Sequence, residues 1–199
     1  RVLFRSALRW CVAALGVVVA ARLAWEPRIV GAALGKTPVL NWLLVGYGIP
    51  AVAFWLSARF MRRADGVEDF PQRVAQLLTV LLAGFLVLFE IRHALHDGDI
   101  YARASGFVEA GLIAFAGFAF GAALTRLGAA QSSVVYRGAT IVAGVGAMFV
   151  AALGLGLAVN PLFHTEMIKG GALFDSLLLG YALPAIAAYA LARLSIGVR

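Results

Sequence analysis

The sequence predicts an all-α, polytopic membrane protein: a transmembrane helical bundle of about six helices with a parallel internal repeat, four helices to the repeat. Three observations carry this. The 199 residues are 62% hydrophobic and 14% charged, with a mean hydropathy of +0.91, whereas a soluble domain carries about 25% charged residues. The apolar residues fall into six segments, each close to the ~20 residues that cross a bilayer. The third is a duplication. Asn41–Arg59 reads N-W-L-L-V-G-Y-G-I-P-A-V-A-F-W-L-S-A-R, and Asp175–Arg193 reads D-S-L-L-L-G-Y-A-L-P-A-I-A-A-Y-A-L-A-R. The two align at a single offset, since 181 − 47 and 184 − 50 both equal 134, and the same offset pairs Pro27 with Pro161.

The segments run roughly Ala7–Leu23, Val39–Phe60, Gln72–His96, Ser105–Leu127, Val134–Ala158 and Ala172–Leu194. The first is apolar after a basic start. In the second, Pro50 lacks an N–H and would clash with the carbonyl four residues earlier, and that residue is Gly46. Pro184 and Gly180 repeat the pair in the sixth. Gly46, Pro50, Gly180 and Pro184 therefore mark expected helix kinks. Each is either a packing bend, with Tyr47 or Tyr181 against a neighbouring helix, or a hinge or carbonyl-lined site of the kind broken helices build. The third segment opens after the polar turn Ala64–Pro71, where Pro71 suits a first helical position. At 25 residues it would span about 37 Å, more than the hydrocarbon core, so its last turns should reach the interface. Glu109 lies in the first turn of the fourth segment, where the helix dipole favours an acid. Gly117-x-x-x-Gly121 in the fourth segment, and Gly144, Gly146, Gly154 and Gly156 in the fifth, suggest close helix packing.

The linkers are short, so residues 1–199 read as one membrane domain. The repeat unit is residues 1–134, followed by a partial copy at 135–199. Segments one and five are then equivalent, as are two and six. Four crossings per copy give both the same orientation, unlike the inverted repeats of many transporters. The chain begins with Arg1 rather than Met, and the second copy stops after its counterpart of Arg59, which suggests a fragment of a longer protein.

Counting Lys and Arg by side of the membrane sets the orientation. Arg1, Arg5, Arg9, Arg59, Arg62, Arg63, Arg73, Arg126, Arg137, Arg193 and Arg199 make eleven, against six for Arg22, Arg28, Lys36, Arg92, Arg103 and Lys169. The richer side should be cytoplasmic. This distribution accounts for the net charge of +7 better than nucleic-acid binding does. Trp10 and Trp55 then sit towards the inner interface, and Trp25 and Trp42 towards the outer. Cys11 is the single cysteine and forms no internal disulfide.

This orientation gathers His93, His96 and His164 on the outer side with Glu26, Glu90, Asp97, Asp99, Glu166, Asp175, Arg28 and Arg92. On a helix, Glu90, His93 and Asp97 share one face, and Arg92 and His96 a neighbouring one. Ionisable groups near hydrocarbon pair with one another or mark a functional path. Expected partners are Asn41, Tyr47, Asp175 and Tyr181 in segments two and six, with Arg28 and His164 in the leading loops. One reading is an interfacial network that fixes helix ends. A second is a binding site for a polar or anionic group. A metal site would need a second Glu-x-x-His, which the sequence lacks, so no metal or cofactor is expected. A histidine base is the remaining option, although no P-loop, G-x-S-x-G, H-E-x-x-H or Cys-pair motif occurs.

N-W-L-L-V-G-Y-G-I-P-A (41–51), E-I-R-H-A-L-H (90–96), N-P-L-F (160–163) and L-L-L-G-Y-A-L-P-A (177–185) together resemble the domain-of-unknown-function family 2339, large polytopic bacterial membrane proteins. The resemblance covers most of the chain. It implies an inner-membrane location and further spans, and it supplies no catalytic residues. Three functional classes follow. The leading one binds or moves a polar solute or lipid-linked group at the outer face. The second is a structural or assembly subunit. The third is a membrane-embedded transferase or hydrolase using His93 or Glu90. The lipid bilayer and further transmembrane helices are the expected partners. Charges converging on an open cavity, or pairing off in a closed network, would separate the first class from the second.

Overall fold

The computed structural model describes residues 2–25, 34–35, 37–62, 65–104, 106–163, 168, 170–171 and 175–196. Arg28 and His164 lie outside them, as do Glu26, Pro27 and Glu166. Six helices and no β-strand occur among the described residues. Helix α1 is Val2–Trp25; α2 is Ile49–Phe60, continuous with a π-helical turn at Leu44–Gly48; α3 is Phe70–Leu95; and α4 is Gly106–Gln131. Helix α5 is Val134–Phe149 and runs on as a π-helical stretch, Val150–Ala158; α6 is Leu183–Ile196, entered through a π turn at Leu178–Ala182. Five of these helical rods are long and apolar enough to cross a membrane, and Leu44–Phe60 is a shorter apolar helix. Two compact units, residues 1–90 and 91–199, divide within α3.

In the first unit, α1 meets α3 at Gly16, where an added Cβ would lie 2.3 Å from Leu78 Cδ1. Trp10 stacks on Phe70 at 5.8 Å. Arg9 pairs with Asp69 at 2.5 Å and donates to the Met61 carbonyl at 2.9 Å. Asp69 also caps α3 by accepting from Gln72 N–H at 3.1 Å, which satisfies one of the free donors of a helix start. Tyr47, Ala51, Phe54 and Ala58 form the buried face of the proline-bearing helix. Tyr47 packs edge-on against Phe85 and Phe89 of α3, at 6.1 and 5.4 Å.

Pro50 cannot donate to the carbonyl of Gly46, and the chain answers with a change of register rather than a break. The Ile49 N–H bonds five residues back, to Leu44 O, so the turn before the proline is a π turn. The same bond recurs from Leu183 to Leu178 O ahead of Pro184. The π turns at 44–48 and 178–182 thus stand 134 residues apart, the offset of the sequence duplication.

The second helical segment starts later than its apolar pattern implies. Val39 takes φ +66°, a conformation that β-branched residues rarely adopt. Leu40 N–H closes a tight turn onto Pro38 O at 2.7 Å. Asn41 then caps the helix, its Oδ1 accepting from Leu43 N–H at 2.8 Å.

In the second unit, α3 ends in a Schellman turn. Asp97 is left-handed at φ +50°, and Gly98 N–H bonds His93 O at 2.9 Å. Asp97 therefore lies past the helix end rather than on the helical face of Glu90 and His93. Helix α4 packs on α5 and α6 through small residues. A Cβ on Gly117 would lie 2.8 Å from Ala147 Cβ, and one on Gly111 would lie 2.4 Å from Gly180 Cα. Phe107, Ala114, Phe118, Ala147, Leu155 and Ala187 make the core of this unit. Outward-facing Ile141, Val142, Met148 and Leu157 are exposed, as apolar residues on lipid-facing helices are.

Candidate functional site

The ion pairs of the second unit meet where α3 hands over to α4. Arg92 lies on the last turn of α3, and Glu109 on the first turn of α4. Ten residues, 96–105, connect α3 to α4, and the described part of them, 96–104, closes around Arg92. Its Nε donates to Ile100 O at 2.7 Å, one terminal nitrogen donates to Ala102 O, and the other pairs with Glu109 Oε1. Every nitrogen of the guanidinium thus has an acceptor. The second oxygen of Glu109 lies 3.0 Å from His96 Nε2. An ionised carboxylate only accepts, so the imidazole proton sits on Nε2. Glu109 is 1% exposed, His96 10% and Arg92 17%. His93 is buried at the same helix end.

Both oxygens of the carboxylate and all three nitrogens of the guanidinium make at least one bond within the cluster. An arrangement of this kind costs several kcal/mol per ion to desolvate, which such charge-assisted bonds offset. Chemically it can hold a loop and two helix ends together. Its central acid is Glu109, which the helix-dipole reading treated separately from the histidine-rich stretch. Arg92 and His96 turn to α4. The signal that could have found Glu109 is the short connection from α3 to α4, ten residues, which brings the first turn of the next helix beside the last turn of α3.

The remaining expected site residues divide by unit. Asp175 caps its helix, its Oδ1 accepting from Leu178 N–H at 3.0 Å, the counterpart of Asn41. Tyr181 donates to Leu155 O at 3.0 Å in the long π stretch and packs on Phe107. Gly180 lies against Phe107 and Gly111, and Pro184 is buried. In the first unit, Glu90 Oε2 accepts from the strained Val39 N–H at 3.2 Å. Glu90 Oε1 and Asn41 Nδ2 are buried without a hydrogen-bond partner. Asn41, 8% exposed, lines an open cleft of about 320 Å³ with Leu34, Leu40, Trp42, Leu44 and Val45. Gly46 lies on the π turn and Pro50 in the first turn of α2. No group of three His, Cys, Asp or Glu among the described residues could hold a metal ion.

The family described as "Predicted membrane protein (DUF2339)" matches residues 1–199. Comparison with curated proteins and with solved structures returns no match. Five membrane-length apolar helices and a family match over the whole sequence agree, and the chain belongs to the DUF2339 family of membrane proteins.

Proposed function

We propose that this chain is an assembly module of a bacterial inner-membrane protein: its work is to pack transmembrane helices, and its outer-face charges hold helix ends. The observation that carries this is that Arg92 and Glu109 bond to one another and to the connection between their helices. Each nitrogen of the guanidinium and each oxygen of the carboxylate already holds part of the protein, which supports fastening of helix ends over solute binding. In this reading the termini are cytoplasmic, by the eleven-to-six distribution of basic residues. The parallel duplication is then a way of laying the same helix pair twice across the bilayer.

The test is a double-mutant cycle on the purified protein in detergent. Arg92→Gln and Glu109→Gln should each destabilise the fold by about 3–5 kcal/mol, the cost of leaving one buried partner unpaired. The double variant should be little worse than either. Unchanged thermal unfolding in both single variants would contradict the structural role.

One observation favours a second reading. The unpaired Asn41 amide and Glu90 oxygen, beside an apolar cleft, suit the polar head and chain of a lipid-linked group. A photoreactive lipid should then label residues 34–45, and Asn41→Leu should abolish the labelling. Labelling that survives Asn41→Leu would remove this second site.

A further inference from the structure

The two copies of the duplicated helix bury opposite faces. In the first, Tyr47, Ala51, Phe54 and Ala58 are buried, while Gly46 and Ala53 are exposed and Pro50 is half-buried. In the second, the counterparts of those last three, Gly180, Pro184 and Ala187, are buried. The counterparts of the first face are less covered there: Ala185 and Ala192 are exposed, while Tyr181 and Ala188 are half-buried against the core of the second unit. The face that is occupied at Gly180, Pro184 and Ala187 is thus open at Gly46 and Ala53, and the occupant of the one shows what the other accepts.

The occupant of the Gly180 face is α4. It presents Phe107 and, one turn later, Gly111, and the backbones approach so closely that a Cβ on either glycine has no room. A Cβ on Gly111 would stand 2.5 Å from Gly180 O, and one on Gly180 would stand 2.5 Å from Phe107 Cδ2. Close approach of this kind is the usual basis of helix association in lipid, where apolar area alone gives no drive. Around Gly46 an added Cβ meets nothing within 4 Å. Its neighbours on the open side, Val45, Ile49 and Val52, are apolar and exposed. Glycine at position 46 is not required by its surroundings in this chain, whereas at position 180 it is.

We infer that the Gly46–Pro50–Ala53 face is the docking surface for a membrane helix of the α4 type that is not among residues 1–199: an apolar helix with an aromatic residue and, four positions on, a glycine or alanine. Helix α4 itself is not the occupant, because its Phe107 and Gly111 face is taken by Gly180. The inference rests on the assembly reading and names the kind of partner assembled.

The test is photocross-linking in native membranes of cells expressing the full protein, with a benzophenone amino acid replacing Ala53, an exposed position with space for it. The adduct is digested and the linked peptide sequenced by mass spectrometry. The expected product is a peptide from an apolar helix outside residues 1–199, carrying an aromatic-x-x-x-small pattern. Gly46→Leu should abolish that product without lowering the thermal unfolding temperature of the isolated chain. A linked peptide from within residues 1–199 would overturn the inference yet leave the assembly reading standing. Lipid adducts alone would overturn both.

Discussion

Gly46 and Gly180 are the same residue of the repeated stretch, yet a methyl group should act on them in opposite directions. Gly46→Ala fills open space on a helical backbone and should stabilise the isolated chain by about 0.5–1 kcal/mol through helix propensity. Gly180→Ala drives a Cβ into the ring of Phe107 and should cost about 1–3 kcal/mol. Thermal unfolding of both variants in one detergent checks the pair, and equal effects of the same sign would contradict the packing described. Arg92 shows why such details escape a reading of sequence. Its spacing to His96 is legible as an i, i+4 pair, but Glu109 stands seventeen positions away on another helix. Asn41 was legible as a polar residue at a helix start, and the structure uses it as a cap. Nothing local announces that Val39 takes a left-handed conformation, since its residue type argues against it.

At the scale of the element, length and apolarity locate the helices because a bilayer demands both. The Gly-x-x-x-Pro spacing places the backbone departures at 44–48 and 178–182, since a missing N–H is visible in sequence. The nine-residue π stretch at Val150–Ala158 has no proline and was not legible; it is tied to the chain by the Tyr181 hydroxyl on Leu155 O. Proline's role there can be measured. Pro50→Ala restores the N–H that Gly46 O lacks, so the helix should revert from π to α register. Slower amide exchange at the neighbours of residue 50, and a protected new amide at residue 50 itself, would report that. If the proline also bends the helix by more than ~20°, spin labels at Trp42 and Phe60 should move apart in the variant. An unchanged label distance would mean that Pro50 sets register without bend.

For the whole molecule, orientation follows from where lysines and arginines fall. Cysteines introduced at Asp99 should react with an impermeant reagent outside the cell, and those at Asp65 should not; the reverse pattern would invert the topology. The membrane class and the helix order were legible because composition and segment length are properties of the chain alone. Which charges close on one another was not, because that depends on how two helix ends and their connection fold together. The most direct measurement replaces the cluster without leaving an orphan: Arg92→Gln, His96→Gln and Glu109→Gln together, expressed in a strain lacking the native protein. Charge and proton transfer are removed, while groups able to hydrogen-bond remain. An assembly role predicts that a phenotype of that strain, such as sensitivity to envelope stress, is complemented in proportion to the folded protein present in the membrane. A normal level of folded triple variant with the phenotype uncomplemented would contradict it, and would place chemistry at Arg92, His96 and Glu109.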